Sequence, residues 1–129
     1  MKNKSKGFAL VEVVIVIVLL SGSLLVFLEA LSQAKSLQIK SEIITIQSFL
    51  IHDKINELRS INYEDVENHN FYASYPGYPN YSFLYTVSYL DDNLNIVNYT
   101  TELKQVDLSI KHNNSSYNPL SESFVITNL

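Results

Sequence analysis

A single acidic side chain, Glu12, lies within an otherwise apolar stretch, Phe8–Leu28. An ionised carboxylate costs about 2.5 to 3.5 kcal/mol near the centre of a lipid bilayer, and less near its edge. Because Glu12 comes early in the stretch, one interpretation is a tolerated carboxylate at the membrane surface. The other is that Glu12 needs a positive partner inside the membrane, although Phe8–Leu28 contains no lysine or arginine.

Cleavage of the chain after Gly7 would supply that positive partner. Phe8 would then have a free α-amino group, four residues before Glu12. An α-amine with a pKa of about 8 is largely protonated at neutral pH and can pair with a carboxylate, in the same chain or in a neighbouring one. The chemistry expected of these three residues is therefore processing followed by charge pairing.

The apolar stretch that contains Glu12 has the length of a membrane-spanning helix, since about 20 apolar residues span the hydrocarbon core. The alternative is a secretory signal peptide, whose apolar region is usually about 7 to 15 residues long and ends in small residues at a cleavage site. We favour a retained helix, because helix-forming residues continue after Leu28. Lysines precede the stretch and none follows until Lys35, which predicts a cytoplasmic amino terminus and an extracytoplasmic remainder.

The residues around the expected cleavage point form a recognisable motif. Lys6 to Val13 read Lys-Gly-Phe-Ala-Leu-Val-Glu-Val. With the apolar helix that follows, this segment resembles the prepilin signature of type IV pilins and type II secretion pseudopilins, in its minor pilin or pseudopilin branch. That signature is a basic leader, Gly, Phe, a small residue (usually Thr or Ser), Leu, Val or Ile, and Glu. Ala9 departs from the usual hydroxyl residue.

The resemblance implies how the protein is processed and assembled. A membrane prepilin peptidase would cut between Gly7 and Phe8, and the new amino terminus of Phe8 would be methylated. Glu12 would recruit the subunit to a growing fibre by pairing with the Phe8 amine of an adjacent subunit. The implied partners are other pilin or pseudopilin subunits, the peptidase, the membrane assembly platform and the lipid bilayer. The implied locations are the cytoplasmic membrane, with a single pass, and then a fibre at the cell surface.

The sequence predicts that the helix continues well beyond the membrane, because Glu29–Ile61 contains neither Gly nor Pro. An apolar stripe in its second half comprises Ile43, Ile44, Ile46, Leu50, Ile51, Ile55 and Leu58. The positions expected on the polar side include Gln47, Asp53, Lys54 and Glu57. A coiled coil is the alternative, but the repeats are few and irregular. We therefore expect this half to pack against a sheet in the same chain.

Three segments alternate between apolar and polar residues, as strands with one buried face do. They are residues 82–90, 103–111 and 122–127, and residues 94–101 are a candidate fourth strand. The predicted fold class is α+β: a long helix, transmembrane in its first half and amphipathic in its second, packed on a small antiparallel sheet of three to four strands. The expected segments are the leader 1–7, the membrane helix 8–28, the amphipathic helix 29–61, a connecting loop 62–81 and the sheet domain 82–129.

The predicted connecting loop is rich in tyrosine around a Pro-Gly turn. Tyrosine rings provide rigid contact area and a hydroxyl, so Tyr72, Tyr75, Tyr78 and Tyr81 are candidates for a surface contact. The favoured alternative is a plain connection whose rings lie on the edge of the sheet. His52, His69 and His112 have no partner pattern and are expected at the surface.

Asp91, Asn93, Asn95 and Glu102 have most of the spacing of a calcium-binding loop. Ile96, however, stands where such a loop requires Gly, and the flanking segments are predicted strands. We therefore favour a polar hairpin turn over a calcium site, and no metal or cofactor is expected.

Composition excludes several classes of protein. The chain of 129 residues has no cysteine, which excludes disulfides and thiolate metal sites. Three of its nine basic residues precede the apolar stretch, so the remainder carries six basic against thirteen acidic residues. Such an acidic body is poorly suited to nucleic acid. Because no catalytic spacing or phosphate-binding glycine loop is present, we expect a structural subunit and no enzyme. The alternative is an uncleaved single-span membrane protein with an extracytoplasmic binding domain.

Overall fold

The protein consists of one long helix followed by antiparallel strands. The computed structural model describes the backbone of residues 4–128 and the side chains of residues 9–128. The elements are helix α1, Lys4–Ser60; a 3₁₀ turn, Tyr63–Asp65; and strands β1, His69–Tyr75; β2, Tyr78–Leu90; β3, Ile96–Val97; β4, Leu103–His112; and β5, Leu120–Thr127. The predicted α+β, pilin-like fold is confirmed. The chain divides into two compact units, Met1–Ile39 and Lys40–Leu129.

The described part of the amino-terminal unit is helical throughout. α1 continues through Ser21, Gly22 and Ser23. The Ser21 hydroxyl donates to the Ile17 carbonyl oxygen at 2.7 Å and the Ser23 hydroxyl to that of Leu20 at 2.9 Å. Bonds of this kind satisfy a hydroxyl without water. The helix can therefore retain its polar pair in an apolar environment.

The sheet belongs to the second unit and is antiparallel throughout. Its strand order is β1-β2-β4-β5, and the short β3 pairs with the end of β2. The strands predicted at residues 82–90, 103–111 and 122–127 are confirmed, and the candidate fourth strand is reduced to β3.

The hydrophobic core lies between the sheet and residues 43–58 of α1. Alternate residues of β4 face the helix, since Val106, Leu108 and Ile110 are at most 1% exposed. The other principal core residues are Leu50, Ile51, Leu58, Val66, Tyr75, Phe83 and Phe124. Burial of these side chains supplies most of the stability of this unit.

The expected helical stripe is wrong at its margins. Ile44 is 47% exposed, whereas Gln47 and Lys54, expected on the polar side, are 1% and 6% exposed. At 3.6 residues per turn, Gln47 and Lys54 fall on the same face as Leu50 and Leu58. Ile44 falls within the same face, so its position around the helix does not explain its exposure. Gln47 and Lys54 were therefore assigned to the wrong side of the helix because their side chains are polar.

The prediction that residues 62–81 form a connecting loop is also wrong. This segment contains the 3₁₀ turn, all of β1 and the start of β2. Tyr75 pairs with Tyr78 across a turn formed by Pro76 and Gly77, and Gly77 has a positive φ of 79°. Such a turn suits a residue without a Cβ. The Pro-Gly pair is therefore the tip of a hairpin between β1 and β2.

Candidate functional site

The apolar helix that contains Glu12 presents its side chains on every side. The large apolar side chains from Leu10 to Leu28 are 48% to 69% exposed. Among the described residues, one helix, Ala9–Ser60, is long and apolar enough to cross a membrane, with a mean hydropathy of 2.8 in its most apolar window. No part of that window is buried inside the protein, which is unlike the core helix of a soluble domain.

Glu12 is exposed among these apolar side chains. Over residues 9–128, whose side chains the structure describes, Glu12 is in no ion pair or side-chain hydrogen bond. Gly7 and Phe8 fall in α1, but their side chains lie outside the described set, as do residues 1–3 altogether. Cleavage, methylation and pairing at Gly7, Phe8 and Glu12 therefore stay predictions.

The four tyrosines proposed as a surface contact separate into two pairs. Tyr75 and Tyr81 are 5% and 6% exposed, so their assignment to a surface contact is wrong. Both belong to the core because β1 and the start of β2 pack against α1. Tyr72 and Tyr78 are 40% and 37% exposed, and their role in contacts stays a prediction.

Tyr75 is the most constrained of these phenols. Its hydroxyl donates to Asp53 Oδ2 at 2.6 Å and contacts the Leu50 carbonyl oxygen at 3.3 Å. Burial, followed by the hydrogen bond to Asp53, raises the pKa of Tyr75 well above its ordinary value of 10.0. This tyrosine therefore stays neutral and anchors the β1–β2 hairpin to α1.

The segment with partial calcium-loop spacing is a hairpin turn, as favoured from the sequence. Asp91 Oδ1 accepts hydrogen bonds from the amides of Asn93 and Asn95 at 2.9 and 2.8 Å, and Asp91 Oδ2 accepts one from the Asn95 side chain. The bonds from Asn95 lower the pKa of Asp91. Among the side chains of residues 9–128, no cluster of three or more histidine, aspartate or glutamate residues is arranged to hold a metal. The Asp91 carboxylate instead stabilises its own turn.

Two buried lysines were not identified as important from the sequence. Lys54 Nζ pairs with Glu57 Oε2 at 2.8 Å and lies 4.1 Å from the centre of the Phe83 ring. Lys104 Nζ donates to the carbonyl oxygens of Tyr63 and Val66 at 2.6 and 3.1 Å. The alternation of β4 does predict that Lys104 is buried, because Lys104 lies two residues before the inward-facing Val106 and projects from the same face of the strand.

His69 and His112 are not simple surface residues. The His69 ring stacks on Phe83 and Tyr85 at centroid distances of 5.3 and 5.5 Å, and its buried Nε2 has no hydrogen-bond partner among the described residues. His112 lies edge-on to Tyr81 at 5.0 Å, and its Nδ1 accepts the Asn114 amide. Of the three histidines, His52 is exposed as expected.

Comparison with known proteins identifies the amino-terminal motif. Residues 2–21 match the family model described as "Prokaryotic N-terminal methylation motif". This is the prepilin signature of type IV pilins and pseudopilins, which agrees with the resemblance found in the sequence. No curated protein matches the chain. No solved structure matches it either.

The motif defines a class of protein. It implies processing by a prepilin peptidase and assembly with other pilin-type subunits. Together with the long apolar helix, it supports a membrane-anchored, type IV pilin-like protein. It points to a structural subunit and not to an enzyme.

Proposed function

We propose that the protein is a minor pilin or pseudopilin, a structural subunit of a type IV pilus-like fibre. The observation that supports this most directly is the methylation motif at residues 2–21, at the start of an exposed apolar helix. In this proposal the prepilin peptidase cuts between Gly7 and Phe8, and the new terminus of Phe8 is methylated. Residues 8–28 first cross the cytoplasmic membrane and then bundle in the apolar core of the fibre.

The proposed topology follows from the charge of the leader. Residues 1–7 face the cytoplasm, where lysines are favoured, and the sheet domain lies outside the membrane. The membrane assembly platform would transfer the subunit from the bilayer to the fibre, with no catalytic step by the chain itself. A minor role is supported by the simple sheet and by the absence of cysteine, since the chain cannot form a disulfide-closed loop.

The proposed role of Glu12 rests on its surroundings. Its side chain is exposed among apolar neighbours that are 51% to 69% exposed, such as Leu10, Val11 and Val14. In a bundle of such helices the carboxylate would be removed from water, where an opposite charge interacts more strongly. The Phe8 amine of an adjacent subunit supplies that charge and sets the axial register between the two subunits.

Substitution of Glu12 tests this function. Glu12→Val removes an unpaired carboxylate from the membrane and should leave insertion intact or improve it. The amount of the same variant in sheared fibres should be lower than that of the wild type by about tenfold or more. This corresponds to about 1.4 kcal/mol of assembly free energy. Glu12→Asp should lie between Glu12→Val and the wild type, because its charge is kept but its reach is shorter.

The matched control is Glu29→Gln, which removes an exposed carboxylate of the same helix beyond the apolar stretch. It should enter fibres like the wild type. Immunoblots of the membrane and sheared-fibre fractions measure both quantities. Equal amounts of Glu12→Val and wild type in fibres would contradict the pairing role.

A further inference from the structure

An apolar row crosses one end of the sheet on the face opposite α1. Leu90 is in register with both Ile96 and Leu103, and Leu103 is in register with Thr127. Paired residues project from the same face of a sheet, so Ile96, Leu90 and Leu103 form an apolar row across β3, β2 and β4, with the polar Thr127 of β5 at its end. Leu90 does not belong to the core cluster beneath α1.

The rest of this outer face is mostly polar, although Leu84 of β2 and Val125 of β5 also project from it. The outward residues of β4 after Leu103 are Gln105, Asp107, Ser109 and Lys111. The Gln105 amide and the Ser123 hydroxyl donate to Asp107, and the Ser121 and Ser109 hydroxyls are 3.1 Å apart. An apolar row at the end of a hydrogen-bonded polar face is therefore a local feature, distinct from the core.

The row borders a cleft of about 380 Å³. Leu90 and Leu103 form its apolar part, and the carboxylates of Asp92 and Glu102 line the same cleft. Asp92 and Glu102 are exposed and Leu103 is half-buried, whereas Leu90 is 1% exposed and is already covered by its own neighbours. Ile96, at 64% exposed, extends the apolar surface beyond the cleft.

The cleft walls are held by hydrogen bonds between strands and loops. The Asn128 amide donates to the Glu102 carbonyl oxygen at 2.9 Å, and the Thr101 hydroxyl donates to that of Leu103 at 2.9 Å. The cleft is therefore formed before any partner arrives, which lowers the cost of binding.

The charge of the cleft determines which kind of partner can bind in it. Among the described residues that line the cleft there are two carboxylates and no lysine or arginine. A second copy of this chain is a poor occupant, because acidic residues outnumber basic residues by eleven to five in Lys40–Leu129 and Lys54 and Lys104 are buried. A complementary occupant has a positive head for the carboxylates and an aliphatic stem for Leu103.

We propose that this cleft binds a lysine or arginine side chain in an apolar-flanked segment of a different protein. The aliphatic stem lies along the exposed part of Leu103, and the cationic head pairs with Asp92 and Glu102. The flanking apolar residues contact Ile96, which is 64% exposed and is paired with Leu90. This docking site is independent of whether the chain is cleaved or enters a fibre.

The test is a titration of the full-length protein in micelles of a neutral detergent, followed by the amide NMR shifts. The two probes are acetyl-Ser-Leu-Lys-Leu-Ser-amide and its counterpart with Glu in place of Lys. The lysine peptide should cause saturable shifts at Leu90, Asp92, Glu102 and Leu103, and the glutamate peptide should not. The double variant Asp92→Asn, Glu102→Gln should weaken binding of the lysine peptide by about tenfold or more.

The matched control is Glu122→Gln, which removes an exposed carboxylate from β5 outside the cleft lining. It should bind the lysine peptide like the wild type, and unchanged shifts elsewhere show that each variant is folded. Absence of saturable shifts, equal binding of both peptides, or equal weakening by Glu122→Gln would overturn the proposal. Saturation of the same amides by calcium chloride with exclusion of the peptide would overturn it in favour of a cation site.

Discussion

Individual buried polar side chains hold the sheet to α1. Gln47 Nε2 donates to the Ile110 carbonyl oxygen of β4 at 3.3 Å and to that of Asn118 at 3.1 Å. Tyr75 supplies a second connection, from β1 to Leu50 and Asp53. Buried polar groups that lose a partner cost about 1 to 3 kcal/mol, so each connection is important for the stability of Lys40–Leu129.

Gln47 provides a direct measure of one such connection. Gln47→Leu should lower the free energy of unfolding by about 1 to 3 kcal/mol, because two carbonyl groups lose their donor. Gln47→Glu should lower the free energy of unfolding further at neutral pH, since it places a carboxylate against two carbonyl oxygens. Acidification should restore part of that stability. Urea unfolding of both variants checks this order. Asn56→Leu, on the exposed side of the same helix, serves as the control and should change stability little.

Tyr75 predicts a dependence of stability on alkaline pH. Burial raises its folded pKa above the ordinary 10.0, so its contribution is complete below about pH 10 and is lost as the pH rises further. Tyr75→Phe should cost about 1 kcal/mol at pH 8, through the lost hydrogen bonds, and should reduce the decline in stability between about pH 8 and pH 11. The pKa values of three other tyrosines are also raised, namely Tyr63, Tyr81 and Tyr85. Part of the decline in stability with pH should therefore remain in Tyr75→Phe.

Thermal unfolding followed by circular dichroism at the two pH values measures this difference. Tyr99→Phe, at a ring that is 63% exposed, is the control. An identical stability loss for Tyr75→Phe at both pH values would show that ionisation of Tyr75 does not affect folding.

At the scale of elements, Lys104 joins the segment that follows α1 to the sheet. Its ammonium lies 4.3 Å from the centre of the Tyr63 ring and donates to the carbonyl oxygens of Tyr63 and Val66. The segment between α1 and β1 is thereby fixed to β4, a strand far away in the sequence. This explains why the 3₁₀ turn at Tyr63–Asp65 has a defined position without a long run of apolar residues.

Lys104→Met keeps the aliphatic stem and removes the donors. It should increase the rate of amide hydrogen exchange in residues 61–68 and lower the free energy of unfolding by about 1 to 2 kcal/mol. Lys111→Met is the control, because Lys111 lies on the polar face, with its ammonium 3.8 Å from the centre of the Tyr72 ring. Unchanged exchange in residues 61–68 of Lys104→Met would rule out this role.

The strands differ in how far sequence could predict them. β2, β4 and β5 were predicted because their apolar residues alternate, as in Val106, Leu108 and Ile110. β1 was missed because its alternation is broken by irregular register between His69 and Ala73, and because Pro76 and Gly77 suggested a loop. The cleft beside Leu90 was also missed, since its residues are brought together only by the pairing of β2, β4 and β5.

At the scale of the whole molecule, charge and apolar surface are segregated along the sequence. Basic residues precede the apolar stretch, and the sheet domain is acidic. The amino-terminal motif was identified from sequence alone because Gly7, Phe8 and Glu12 are recognisable by their types and their spacing along the sequence. No tertiary contact is needed to define it, whereas the buried roles of Gln47 and Lys104 depend on the assembled sheet.

The central claim, that the chain is a processed fibre subunit, is tested most directly by intact mass. The full-length protein is expressed with a prepilin peptidase, beside a Gly7→Val variant in which cleavage should be blocked. We expect the wild type to lose residues 1–7 and gain one methyl group, and the variant to do neither. An unchanged wild-type mass, under conditions in which a known prepilin is cut, would contradict the account and indicate an uncleaved single-span membrane protein.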